Sequence, residues 1–244
     1  MCKRFWGFEI LGSAAMPLRS VPVPLRQVDA KLIHNPTAGL KTFQVYGHFF
    51  KRVLDILVVL LSAPAVLLVV AVLCVLISRD GASPFYAQDR VGKNGRIFRM
   101  WKLRSMVLNA DAQLESYLAA NPARRLEWDE HQKLRHDPRI TRIGRLIRKT
   151  SLDELPQLWN VLIGDMSIVG PRPMMPNQKA LYPGRGYYAL RPGITGYWQI
   201  SVRNESSFAE RANFDTKYLR ELSLWTDLRV MLCTFRVVFC GTGC

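Results

Sequence analysis

The chain changes character sharply along its length. From Ile56 to Ile77 no residue is charged, and Leu, Val and Ala dominate. A helix of about 20 apolar residues covers the ~30 Å hydrocarbon core of a bilayer, so this run is long enough to cross one. Lys51 and Arg52 flank one end and Arg79 the other. With both flanks basic, the positive-inside rule gives no orientation. Pro64 sits inside the run, behind Ser62 and Ala63. Proline removes a helix hydrogen bond and bends the axis, and a serine hydroxyl can serve a freed backbone group. Two forms stay open: a kinked spanning helix, which the pattern alone favours, and a re-entrant helix-break-helix that returns to its own face.

Beyond this run the pattern becomes that of one mixed domain without internal repeats. Phe85–Trp101 holds two β-prone stretches around Gly92-Lys93-Asn94-Gly95, which predicts a hairpin. Residues 108–134 are rich in Ala, Leu, Glu, Gln and Arg and predict helix, interrupted at Asn121-Pro122. Asp153–Leu162 predicts a short helix with Ser151 as N-cap and Glu154 at the capping-box position. Gly170-Pro171-Arg172-Pro173 must leave regular structure. Phe208–Leu222 predicts helix, and 225–239 an amphipathic stretch carrying Arg229 and Arg236.

Composition narrows the partners. The 244 residues carry a formal charge of +15, with a pI of about 10.0. A balance so basic points to an anionic partner: nucleic acid, an anionic membrane surface or phosphorylated substrates. No zinc spacing or other common nucleic-acid module accompanies the basic patches, so no nucleic acid is expected. Cys2, Cys74, Cys233, Cys240 and Cys244 form no CxxC pair, and structural disulfides are not expected. The opening Met1-Cys2-Lys3-Arg4-Phe5-Trp6 has too short an apolar run, broken by Glu9, for a signal peptide. Residues 1–48 read as a flexible lead.

The candidate chemistry centres on Asp153 and Glu154. One carboxylate could serve as nucleophile and the other as metal ligand, with a helix dipole keeping both ionised. Plain capping is the competing reading of the pair alone. Around it stand Lys102 and Arg104, the run Arg139, Arg142, Arg145, Arg148 and Lys149, then Arg172 and Arg191 on Pro/Gly turns. Guanidinium forks on rigid turns suit phosphate oxygens, although any one of these arginines could be a solvated surface charge. Asp215 is a further acid, and Tyr197 and Trp198 could stack on a base or lie in the core. GxGxxG, Walker, HExxH and GxSxG patterns are absent from the sequence.

Six stretches in this order resemble one family. They are Lys51-Arg52-Val53-Leu54-Asp55, Lys102-Leu103-Arg104-Ser105-Met106, Asp137-Pro138-Arg139-Ile140-Thr141, Ser151-Leu152-Asp153-Glu154-Leu155-Pro156-Gln157, the segment Gly164–Pro173 and Arg191-Pro192-Gly193-Ile194-Thr195-Gly196. Together they resemble the bacterial sugar transferases, the monotopic phosphoglycosyl transferases, and most of all the short members that start exopolysaccharide repeat units. The family's usual Lys-Phe-Arg-Thr-Met reads Lys-Leu-Arg-Ser-Met here.

The resemblance implies an α+β, mostly helical fold. Residues 49–80 would form a re-entrant membrane helix broken at Ala63-Pro64, and 81–244 a catalytic domain on the cytosolic face of the bacterial inner membrane. Asp153 would attack a UDP-sugar, galactose or glucose, and release UMP. Polyprenyl (undecaprenyl) phosphate would then take the sugar phosphate from the aspartyl intermediate. Glu154 would hold Mg²⁺, Asp215 would support the site, and Lys102, Arg104, Arg172 and Arg191 would bind phosphates. Membrane lipid is the further partner, and a homodimer is allowed. The rival from another class is a non-catalytic membrane adaptor whose basic face binds anionic lipid.

Overall fold

The structure, a computed structural model, describes residues 46–131, 134, 136–201 and 208–239. The expected lead over 1–48 therefore lies outside the described residues, apart from 46–48. A wide helical turn, Tyr46–Phe50, runs into α1, Lys51–Ile77. Among the described residues α1 is the helix long and apolar enough to cross a membrane, and only 11% of its most apolar 18-residue window is buried within the protein.

Helix α1 runs on through Pro64 as one element. Pro64 lacks the N–H that the Leu60 carbonyl would accept. Ser62 Oγ donates to the carbonyls of Val58 (2.8 Å) and Val59 (3.1 Å), the two residues just before that orphan, and not to the orphan itself. Serine back-bonding of this kind bends helices. Both ends of α1 pack on the domain that follows. Val59 joins a core with Val161, Ile168 and Val169, and Leu73 and Ile77 join Leu103 and Ile147. Between them Leu60, Leu61, Leu67 and Leu68 are exposed.

The hairpin forms as the pattern predicts. β1 (Phe85–Val91) and β2 (Ile97–Leu103) pair antiparallel with Tyr86 opposite Lys102 and Arg90 opposite Phe98. Asn94 and Gly95 both take positive φ in the connecting turn, the conformation for which Asn-Gly is favoured. Then come α2 (Ala110–Ala120) and α3 (Pro122–His131), divided at Asn121-Pro122 as expected. Helix α4 (Arg142–Lys149) is capped by Thr141, whose hydroxyl accepts from Gly144 N at 2.8 Å.

The predicted helix over Asp153–Leu162 is corrected. Ser151 sits at φ 56° and its side chain caps nothing; Leu152–Glu154 is a single 3₁₀ turn, and α5 spans Gln157–Ile163. The left-handed Ser151 reverses the chain after α4, so Asp153 and Glu154 lie on a tight bend instead of a helix start. Helix α5 is tied to the hairpin by the buried Asn160, which accepts from Trp101 N (3.0 Å) and donates to Arg99 O (2.8 Å).

β3 (Ser167–Val169) pairs parallel with β4 (Gly193–Thr195). This pairing explains two glycine-bearing motifs at once. A Cβ on Gly193 would stand 2.1 Å from Gly170 N, and one on Gly170 2.4 Å from Arg191 O. The short helix α6 (Gly186–Ala189) precedes β4, and α7 (Tyr197–Ile200), α8 (Arg211–Arg220) and α9 (Leu224–Phe239) complete the described chain. Helix α9 packs on β3, β4 and α7 through Val230, and exposes Trp225, Leu232 and Phe235. The fold is thus mixed α+β and mostly helical, with two small sheets among the described residues.

Candidate active site

The Lys51–Asp55 stretch, at the head of α1, joins the membrane-type helix to the domain. Lys51 is buried, not a free flanking cation: its Nζ lies 2.7 Å from Asp227 Oδ2 and 2.9 Å from Tyr218 OH. Asp55 Oδ1 accepts from Ser167 Oγ and from Ile168 N, both at 2.9 Å, and so fixes β3. Arg52 donates to Val161 O and Leu162 O, and Arg191 Nε donates to Gly164 O at 2.9 Å. Two guanidiniums therefore serve carbonyls at the end of α5, where a helix leaves acceptors unpaired.

β3 leads into Gly170-Pro171-Arg172-Pro173, and β2 carries Lys102 to the 3₁₀ turn. Lys102 Nζ lies 2.8 Å from Glu154 Oε1 and 3.8 Å from Asp153 Oδ2. Asp153 is 8% exposed. Burial pushes its carboxyl above the ordinary value; Lys102 and Arg148 pull it down and Glu154 pushes it up. The expected α-helix start is not at this acid, since α5 begins only at Gln157, and burial outweighs the cations. Arg148 is held by Ser105 Oγ at 2.8 Å (Nε donating). The close approach of α4 to Ser105, where a Cβ on Gly144 would stand 1.9 Å from Ser105 O, brings Arg148 there.

The other expected site residues separate into two groups. Arg104 binds Asp80 with both terminal nitrogens at 2.6 Å, Ser83 O with Nε at 2.8 Å, and Ile77 O at 3.1 Å. It holds the end of α1 and, like Arg191, has no contact with the acid pair among those described. Arg104 holds the Asp80 carboxyl down to about 2. Arg172 and Asp215, by contrast, line one small cavity together with Tyr182, Trp198, Phe208 and Arg211. Tyr182 OH donates to Asp215 Oδ2 at 2.7 Å. Burial raises the Asp215 carboxyl to about 7, against the pull of the Tyr182 hydroxyl and Arg211.

Two residues that sequence reasoning did not single out complete the picture. Arg90 shares the Lys102 face of the hairpin, donates to Gln88 Oε1 (2.6 Å) and Pro173 O (3.3 Å), and feels the charges of both Arg172 and Glu154. It therefore ties the hairpin face that carries Lys102 to the turn that carries Arg172. Arg211 lies over the rings of Trp198 (4.2 Å) and Phe208 (4.8 Å). Trp198 is buried, with Arg172 5.6 Å from its ring centre, and Tyr197 OH bonds Glu221 at 2.5 Å. The hairpin turn was the available signal for Arg90, since counting outward from Asn94-Gly95 puts it on the Lys102 face.

Mg²⁺ is bound typically through one or two carboxylates plus substrate phosphates and water. Asp153 and Glu154 match that donor set, and among the described residues no cluster of three or more His, Cys, Asp or Glu offers a full protein cage. A buried carboxylate with a second acid and Lys102 beside it supplies the groups that phosphate binding and attack on phosphorus require.

The bacterial sugar transferase family model matches residues 46–241. Among curated relatives, the chain is 47% identical over 199 residues to a UDP-galactose-lipid carrier transferase of Erwinia amylovora, covering 81% of this chain and 42% of that one. It is 43% identical over 254 residues to an undecaprenyl-phosphate galactose phosphotransferase of Salmonella typhimurium, covering 98% of this chain and 52% of that one. It is 42% identical over 203 residues to the exopolysaccharide production protein ExoY of Sinorhizobium fredii, covering 81% of this chain and 88% of that one. The chain thus spans about half the length of the first two.

Proposed function

This chain belongs to the bacterial sugar transferase family, and from that premise we propose that it moves a hexose 1-phosphate from a UDP-hexose to polyprenyl phosphate. The observation that carries the reading is the buried Asp153 beside Glu154, with Lys102 reaching both. A carboxylate freed from water and steered by a cation is a competent nucleophile. An Asp153 oxygen attacks the β-phosphorus, the bond from that phosphorus to the bridging oxygen breaks, and UMP leaves. An oxygen of the lipid phosphate then attacks the aspartyl phosphosugar, the phosphorus–aspartate bond breaks, and the carboxylate is regenerated. Glu154 would hold Mg²⁺, which when bound offsets diphosphate charge. Lys102 and Arg172 orient phosphate oxygens. The names of the relatives favour galactose as the sugar, with glucose the alternative, and exopolysaccharide assembly as the process the step begins.

The membrane arrangement follows from α1. Its two ends pack on one domain while its middle stands exposed, which supports a re-entrant helix bent at Ala63-Pro64. Trp225, Leu232 and Phe235 of α9 are exposed as well and would rest at the interface. On this reading the domain sits on the cytosolic face of the inner membrane, where UDP-sugars are available.

The test is UMP release by the purified chain with polyprenyl phosphate and Mg²⁺, run with UDP-galactose and UDP-glucose separately. Asp153→Asn should lower turnover by at least 10³-fold, on the order expected for a lost covalent nucleophile. The acid limb of the wild-type profile should lie above the ordinary carboxylate range, because Asp153 must ionise and burial resists it. Wild-type turnover by Asp153→Asn would refute the covalent role.

A further inference from the structure

The cavity around Trp198 holds more positive charge than its own acids answer. Arg211 is fixed between the faces of Trp198 and Phe208, with Arg172 over the same Trp198 ring. Nε of Arg211 and Nε of Arg90 are buried without a hydrogen-bond partner among the described residues. Burial first, and then the charge of Arg172, depresses both Arg90 and Arg211. Buried N–H groups without acceptors and mutually repelling cations mark a place that an anion completes.

Two features say which anion. The first is position. Arg90 donates to Pro173 O, next to Arg172, and shares the hairpin face of Lys102, which bonds Glu154, so one strand face connects the Arg172 turn with the acid pair. A diphosphate with its transferred phosphorus at Asp153 would place its second phosphate toward Arg172. The second feature is distance from the membrane helix. The core behind the cavity is built from Val91, Met174, Tyr182, Tyr187 and Ala212, and α1 contributes no described residue to it, whereas the other two cores near the acid pair both include α1. A lipid phosphate must arrive from the α1 side; the water-soluble donor has no such constraint.

We propose that the nucleotide half of the donor docks at the Trp198–Arg211 cluster, with the phosphate that leaves as UMP held by Arg172 and Arg211. This rests on the reaction proposed above and assigns its leaving group a site. The aromatic rings act chiefly by holding Arg211 flat, since its guanidinium already covers them.

The test measures UMP, uridine and inorganic phosphate binding to the full chain in detergent by calorimetry, with donor and acceptor KM alongside. UMP should bind wild type, uridine at least tenfold more weakly. Arg211→Gln should weaken UMP binding and raise the donor KM by about tenfold or more, as expected for a lost charge-assisted bond, and move the polyprenyl phosphate KM less than twofold. Phe208→Leu keeps every charge and should weaken UMP by a few-fold, with an unchanged thermal midpoint as the check on folding. UMP affinity within twofold of wild type in Arg211→Gln, or an effect on the acceptor KM alone, would overturn the assignment. Calorimetry needs no turnover, so a wild type that binds UMP through Arg211 yet releases none from either donor would sink the reaction and leave the cavity's ligand standing.

Discussion

Lys51 and Asp227, 176 residues apart, form a buried ion pair at 2.7 Å. Tyr46 and Tyr218 add their hydroxyls to the same carboxylate, at 2.7 and 2.5 Å. The head of the apolar helix is thereby bolted to α9, and one turn later Asp55 fixes β3, the strand that delivers Arg172. The membrane-type helix and the candidate site are therefore one mechanical unit: displacing α1 displaces the arginine.

Breaking this pair from one side should be costly. Lys51→Met strands the Asp227 carboxylate in the core, a loss of about 3–5 kcal/mol for a buried pair deprived of one partner. At roughly 2–4 °C per kcal/mol for a domain of this size, thermal unfolding in detergent should show a drop on the order of 10 °C. The double variant Lys51→Met, Asp227→Asn removes the lone charge and keeps an acceptor for the tyrosines, so it should recover much of that loss. A double variant no more stable than Lys51→Met would show that the stranded charge is not what matters.

Asp215 predicts a pH dependence of stability with a definite sign. Its carboxyl lies at about 7 in the fold against 3.8 as the reference for the unfolded chain, so the folded state holds this proton more tightly. The contribution is fully present below about pH 4 and is lost as pH rises through 7. Asp215→Asn cannot lose the proton. Its stability relative to wild type should grow between pH 4 and pH 8 by on the order of a few kcal/mol. Unfolding midpoints for both proteins across that range test this, and a constant difference would show that Asp215 is ionised throughout.

What the sequence made legible follows the range of the interactions involved. The hairpin, the Asn121-Pro122 division and helices α8 and α9 come from local periodicity and turn chemistry, and they appear where expected. The Ser151 cap fails because Ser-x-x-Glu chemistry is local too, but the left-handed Ser151 reverses the chain there and puts both acids on a bend. Lys51 was legible as a charge beside an apolar run; its burial against Asp227 depends on a partner near the other end of the chain. Arg104 and Arg191 looked like phosphate ligands in the sequence because motif order does not reveal what a guanidinium faces. Here they face Asp80 and Gly164. Arg211 had only Phe208, three residues away, as a linear neighbour; the Trp198 side of its aromatic clamp forms only when α7 and α8 meet.

Pro64 tests the membrane form directly. Its ring denies the Leu60 carbonyl a partner, and Ser62 spends its hydroxyl on Val58 and Val59 instead of repairing that gap. In the re-entrant form proposed above, the bend would depend on the missing N–H and on ring bulk, both of which Leu removes. Pro64→Leu should straighten α1 and let about 40 Å of helix, 27 residues at 1.5 Å each, cross the bilayer. The ends would then compete with the packing of Val59 on one core and of Leu73 and Ile77 on another. Burying each such side chain is worth about 1.5–3 kcal/mol, so the packing should keep part of the population in the native form and a mixture is expected. Cysteine labelling from either side at positions before Tyr46 and after Asp80 reads this out. Wild type should label both flanks from the same side, and Pro64→Leu should expose one flank to the other in a fraction of molecules, with UMP release falling in proportion. Opposite-side labelling of the two flanks in wild type would show that α1 spans the membrane and would refute the re-entrant form.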